Sequence, residues 1–183
     1  MNNGIWITLG NSSKVYLRPI QLADVIERHE FFVKLSLADV GMVHTVDEID
    51  FHTHETHDKI VDFTKNKRGL WLVALTAQKK IVGEIDITVK SLKRVRHNGV
   101  LSIGILPDFQ SIGLGTAMME HALSWASMQR LSRVELSVFA SNDRAQNLYK
   151  KFGFAIEGIR KNFLHRQDEH FEDDILMAKH ILA

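Results

Sequence analysis

The segment Gln110-Ser111-Ile112-Gly113-Leu114-Gly115-Thr116 constrains this chain more than any other. Before it, Gly99 to Leu106 reads as a strand that Pro107 stops. After it, Leu114, Ala117, Met118, His121, Ala122 and Trp125 recur at spacings of three and four, which predicts a helix over Ile112 to Gln129. A strand that runs through glycines into a long helix implies a layered α/β arrangement, because the helix must cover the sheet that holds the strand. The first turn of such a helix has backbone N–H groups with no partner inside it, and the helix dipole adds about half a positive charge there. Glycines let a ligand approach that backbone, which makes an anion site. They equally suit a turn that only lets strand and helix pack closely.

The rest of the chain supplies the sheet. Lys14 to Arg18 alternates as a short strand ended by Pro19, and Ala23 to Leu37 carries a helical stripe of Val25, Ile26, His29, Phe32, Val33 and Leu37. Residues 44 to 66 are polar, with Ile49, Ile60, Val61 and Phe63 spaced for a weaker helix. Leu70 to Leu75 and Ile81 to Val89 flank the polar turn Gln78-Lys79-Lys80, which predicts an antiparallel hairpin. In the second of these strands Ile81, Gly83, Ile85, Ile87 and Val89 share one face; Val82, Glu84, Asp86 and Thr88 share the other. That second face either lines a cleft or carries two solvated carboxylates. Arg133 to Phe139 is a strand, Asn142 to Lys151 a short helix, and Phe154 to Gly158 with Phe171 to Leu182 a closing pair of strands. The expected fold is α/β, a single domain over residues 1–183 around one sheet.

Composition narrows the function classes. The chain has 183 residues, 45% hydrophobic and 25% charged, enough for a real core without staples. With no cysteine there are no disulfides, thiolate zinc sites or cysteine nucleophiles, and a reducing, cytoplasmic setting is expected. A net charge of +1 gives no field toward nucleic acid or anionic lipid. Leu70–Ala77 and Val100–Leu106, the longest apolar stretches, fall far short of the ~18 residues of a membrane helix, and Met1 to Gly10 lacks the basic start of a signal peptide. Neither a membrane nor a nucleic-acid partner is expected. His44, His52, His54 and His57 lie close in sequence, but His54-Glu55-Thr56-His57 is one residue short of the zinc-protease spacing, so no metal is expected. Lys90, Lys93, Arg94, Arg96 and His97 form a basic connection without interleaved aromatics, a solvated turn or a steering patch for an anion.

The ligand of the glycine turn is narrowed by elimination. A P-loop would need a lysine after the second glycine, and the dinucleotide fingerprint a third glycine where Met118 stands. Gln110-x-x-Gly113-x-Gly115 after Pro107-Asp108-Phe109 resembles the acetyl-CoA pyrophosphate loop of the GCN5-related N-acetyltransferases (GNAT family). Asn142, Ala145, Leu148-Tyr149 and Gly153-Phe154 resemble that family's second signature, in the expected order. The C-terminal half is most similar to the branch acting on amino acids and other small amines, with the ribosomal-protein and polyamine branches next.

The resemblance implies a mixed, mostly antiparallel sheet of about seven strands with about four helices. It implies acetyl-CoA as cosubstrate, its pantetheine arm pairing with Ile103, Gly104 and Ile105. Gln110 and the backbone of Ser111, Ile112, Gly113, Leu114, Gly115 and Thr116 would hold the pyrophosphate, and Asn142 would bond the arm. Tyr149 would be the general acid for the leaving thiolate, if its ring is not simply packed in the short helix. Glu84 would be the general base, directly or through water. The implied reaction is direct attack of an amine in a ternary complex. The acceptor would be a small-molecule primary amine such as an amino acid, with a protein N-terminus or a polyamine as alternatives. A non-catalytic acyl-CoA sensor would use most of the same residues. A homodimer through sheet edges or C-terminal strands is a further implication.

Overall fold

Among the described residues eight strands form one sheet, in the spatial order β1-β2-β3-β4-β5-β6-β8-β7. They are β1 (Ile5–Thr8), β2 (Lys14–Pro19), β3 (Gly69–Leu75), β4 (Ile81–Val89), β5 (Asn98–Ile105), β6 (Arg133–Phe139), β7 (Ala155–His165) and β8 (Phe171–His180). The helices are α1 (Val25–Leu37), α2 (Thr53–Thr64), α3 (Leu114–Met128) and α4 (Asp143–Lys151). The computed structural model describes residues 4–38, 41–49, 53–65, 69–166 and 170–181.

The helices divide between the two faces of the sheet. From α3, Leu114, Met118, Met119, Ala122 and Ala126 are buried in one core with Ile85, Ile87, Leu101, Val134 and Leu136. Phe31 and Leu35 of α1 and Ile60 and Phe63 of α2 make a second core over Trp71, Val73 and Leu75. Each helix is amphipathic because only one of its sides meets the sheet. On α1 the buried side is that of Phe31 and Leu35; Ile26 and Leu37, in the stripe expected from spacing, are 62% and 69% exposed.

The feature that positions the site is a parting of strands. β5 and β6 are parallel, and they pair only over Asn98–Val100 and Arg133–Glu135. Beyond that point Ile103 to Ile105 of β5 keep β4 as their partner, while Leu136 to Phe139 of β6 keep β8. Among the described residues no strand pairs with the facing edges beyond that point, although the Ile105 carbonyl accepts from the Gln110 side chain and the Phe139 carbonyl from the Asn142 N–H.

The expected strand count of about seven needs correction, and one of the two alternatives for β4 falls away. The sheet has eight strands, because Ile5–Thr8 adds an antiparallel edge strand to β2. That run is too short to show a period, and only its turn through Leu9 to Ser13 returns it to the sheet. The polar face of β4 is not solvated either: Glu84 and Asp86 are buried, on the face covered by α1 and α2. A bulge opposite Ala74 and Leu75 also breaks the alternation, so Ile81 joins the second core while Val82 joins the first.

Met118 is fully buried between α3 and β4. Met118→Ala should cost about 2–5 kcal/mol, lost contacts and a residual cavity combined. Urea denaturation would read this as a lower midpoint at unchanged slope, and an unaltered midpoint would contradict this packing.

Candidate active site

Where β5 and β6 part, a cleft of about 540 Å³ opens. One wall is β5 from Val100 to Ile105, continued by Gln110, Ser111, Gly113, Gly115 and Thr116. The other is Ser137 to Phe139 of β6, with Asp174 of β8 and Arg160 and Phe163 of β7. Asn142, Arg144, Ala145, Leu148 and Tyr149 come from α4 and its start, and Gly41 to Val43 from the segment after α1.

The two glycines of the turn have different physical reasons. Gly113 caps α3 with φ +93°, and a Cβ there would meet nothing within 4 Å. Its left-handed backbone favours glycine, and the space in front of it is open to a ligand. A Cβ on Gly115 would lie 3.1 Å from Leu148 and 3.3 Å from Ile105, so this glycine lets α3, α4 and β5 close together. No side chain caps α3 and no acidic residue stands in its first turn. Its N-terminal N–H groups therefore remain available to an anion.

The remaining loop residues build the turn. Gln110 donates its side-chain amide to the Ile105 carbonyl at 2.6 Å, tying the end of β5 to the loop. The Ile112 carbonyl accepts the Gly10 N–H at 2.9 Å, so the turn between β1 and β2 braces the loop from behind. Leu114 is buried in the core. Neither Ile112 nor Leu114 is among the residues that line the cleft.

Asn142 is the N-cap of α4, its Oδ1 accepting the Ala145 N–H at 3.1 Å. The turn before it is fixed by Glu172, which accepts the Ser141 N–H at 2.8 Å and an Arg166 bond at 2.7 Å. Tyr149 lines the cleft with its ring buried and set 6.0 Å from Phe154. Burial pushes its phenol pKa up, so the group stays protonated and keeps a proton to donate.

Glu84 does not line the cleft. Both its oxygens accept from Arg28, at 3.2 and 3.1 Å, and one also accepts the Trp71 indole N–H at 3.2 Å. The Arg28 guanidinium lies 4.4 Å from the Phe32 ring centroid and 5.3 Å from that of Trp71. Asp86 does not line the cleft either, and it accepts a hydrogen bond from the Thr88 hydroxyl at 3.2 Å. Burial pushes its pKa up to about 6; Lys59 opposes, Glu84 adds to the rise, and Thr88 and Arg28 oppose it more weakly. Asp86 pairs across the sheet with Ser102, a cleft residue, so their side chains share a face.

Several cleft residues carry no signal in the sequence. Ser102, Ser137, Arg144, Arg160, Phe163 and Asp174 come together only through the strand order, in which β8 separates β6 from β7. In the histidine-rich segment, His44 lies 5.8 Å from the Phe32 ring and His57 contacts Asp58 at 3.2 Å. His52 and the His54 side chain lie outside the described residues. Lys90, from the basic connection, pairs with Glu135 at 2.7 Å.

Residues 39–154 match the family model described as Acetyltransferase (GNAT) family. The chain belongs to this family. It is similar to the L-amino acid N-acetyltransferase AaaT of Escherichia coli K12, 34% identical over 95 residues, or 50% of this chain and 57% of the relative. The ribosomal protein bS18-alanine N-acetyltransferase of the same organism is 37% identical over 79 residues, 43% of this chain and 53% of the relative. The chain thus spans about half the length of the curated relatives it matches. Among solved structures, a GNAT acetyltransferase from Streptococcus pneumoniae superposes with a TM-score of 0.84 at 31% identity, covering 91% of this chain and 99% of that one. A phosphinothricin acetyltransferase from Sinorhizobium meliloti, solved in complex with AcCoA, shares the fold at 17% identity, with a TM-score of 0.79 over 91% and 88% of the two chains.

Asp86 supplies a prediction for stability. Between its unfolded value of 3.8 and about 6, the folded state holds a proton that the unfolded chain has lost. Stability therefore falls as pH rises through that window and stays lower above it. Asp86→Asn should melt higher than wild type near pH 8, with the gain vanishing near pH 3. An equal difference at both pH values would show that Asp86 is not a displaced titrating group.

Proposed function

We propose that this protein transfers an acetyl group from acetyl-CoA to a primary amine of a small molecule. One observation carries the reading: the unpaired edge of β5 runs toward an uncapped helix N-terminus fronted by the open Gly113. That edge suits an extended arm with amide groups, and the helix terminus suits its phosphates. Ile103, Gly104 and Ile105 would hold the arm. Ser111, Gly113, Gly115 and Thr116 would border the pyrophosphate, with Gln110 fixing the loop and Asn142 near the arm. Bound acetyl-CoA supplies an activated thioester carbonyl.

The chain's residues then manage protons. An ammonium must lose a proton before its nitrogen can attack, and Asp86 accepts that proton through water at Ser102. Glu84 is held by Arg28 and Trp71, so it fits a positioning role for this carboxylate pair better than the base role expected of it. As the new C–N bond forms and the C–S bond breaks, the Tyr149 hydroxyl gives its proton to the departing sulfur, and the second proton shed by the nitrogen as the amide forms passes through solvent to restore the phenol. No covalent enzyme intermediate is required.

The test is thiol release from acetyl-CoA in the presence of amino acids, polyamines and short peptides. Acceptor-dependent release is expected, and acetyl-CoA binding without release for every amine would favour a sensor instead. At saturating acetyl-CoA, kcat/KM for the acceptor should rise with pH through about 6, because Asp86 works only when ionised. Asp86→Asn should remove that limb and lower kcat by about 100-fold. Tyr149→Phe should lower kcat by about 10- to 100-fold with little change in the KM for acetyl-CoA. Full activity in Tyr149→Phe would remove the tyrosine from the mechanism.

A further inference from the structure

Arg160 is the cationic group on the β6–β8–β7 wall of the cleft. It stands on the edge strand β7, opposite Asp174 of β8, which in turn stands opposite Phe139 of β6. Its Nε donates to Asp174 Oδ2 at 2.8 Å, and its Nη2 reaches the same oxygen and, at 3.5 Å, the Ser137 hydroxyl. The guanidinium carbon lies 3.8 Å from the Phe163 ring centroid. Four contacts from three strands thus fix one plane for the guanidinium. The Asp174 side chain is only 2% exposed, whereas that of Arg160 is 45% exposed. Among the described residues Nη1 has no hydrogen-bond partner, so the unpaired end of the fork is free to meet a ligand in the cleft.

A guanidinium held through Nε and Nη2 is pre-organised to present its other N–H groups to a planar oxyanion. Resting on the acetyl-transfer reading above, we infer that Arg160 is the receptor for a carboxylate on the acceptor, so the acceptor is an amine that also carries a carboxylate, as an α-amino acid does. Asp174 and Ser137 are the positioning residues that aim it. The cofactor's phosphates have a separate place on the opposite wall, at the uncapped start of α3.

The experiment compares three acceptors that share a side chain: the amino acid, its amide, and the amine left by removing the carboxylate. Wild-type kcat/KM should be at least about tenfold higher for the amino acid than for the other two. Arg160→Gln should lower kcat/KM for the amino acid by about 10- to 100-fold and leave the other two within about twofold. Its KM for acetyl-CoA should be unchanged. A wild-type enzyme that prefers the amide or the bare amine overturns the assignment without any variant. A raised KM for acetyl-CoA in Arg160→Gln overturns it in favour of a phosphate contact. If no amine is acetylated, the transfer reading itself fails. Calorimetry of the N-acetyl amino acid and its amide with CoA present then decides Arg160 separately. Tighter binding of the acid, lost in Arg160→Gln, supports the carboxylate site, and equal binding overturns it.

Discussion

Three residue pairs hold β5 to β6, and the cleft of this molecule exists because there are only three. A parallel pair with full registry would satisfy its backbone groups and close the sheet. Here the strands meet at Asn98–Val100 and then separate, each keeping its antiparallel partner on the other side. The separation leaves backbone donors and acceptors facing a cavity instead of a neighbour. The β5 residues along this gap, Ser102 to Ile105, are exposed or half-buried, so the gap is open to solvent or to a ligand. α3 and α4 sit over its mouth and add a helix terminus and a row of side chains to it.

The two faces of the sheet carry different chemistry. Around α3 the core is uniformly apolar, which fixes the helix axis and the direction in which its N-terminus points. Under α1 and α2 the second core includes Glu84 and Asp86 among Phe31, Leu35 and Trp71. Desolvated carboxylates are costly for a fold unless they are paired. Arg28 compensates Glu84 closely, whereas Lys59 faces Asp86 only through its field. That uneven compensation leaves the desolvation of Asp86 largely unopposed, which is why its pKa is raised.

Much of this was legible in the sequence. The strand–glycine–helix unit, the hairpin of β3 and β4 and the second signature at Asn142 to Phe154 depend on local spacing, and each stands where spacing puts it. What the sequence hid was relational. Whether Glu84 meets solvent depends on Arg28, which is 56 positions away. The Arg160–Asp174–Ser137 cluster needs β7 to lie beyond β8, a topological fact with no local signature. The first strand escaped notice because four residues show no period until β2 lies beside them. The glycine turn appeared to have one explanation or another; Gly113 and Gly115 divide the two between them.

The bond from the Gly10 amide to the Ile112 carbonyl joins the outermost hairpin of the sheet to the centre of the molecule. Sheet edges are usually the first parts of a protein to fray. Here fraying at that edge would withdraw the Gly10 N–H that holds the Ile112 carbonyl, and with it the loop in front of α3. The breathing of the first hairpin and the order of the glycine loop therefore share one equilibrium. A ligand that quiets the loop would also protect the amides of β1 from exchange, at a distance from anything it touches.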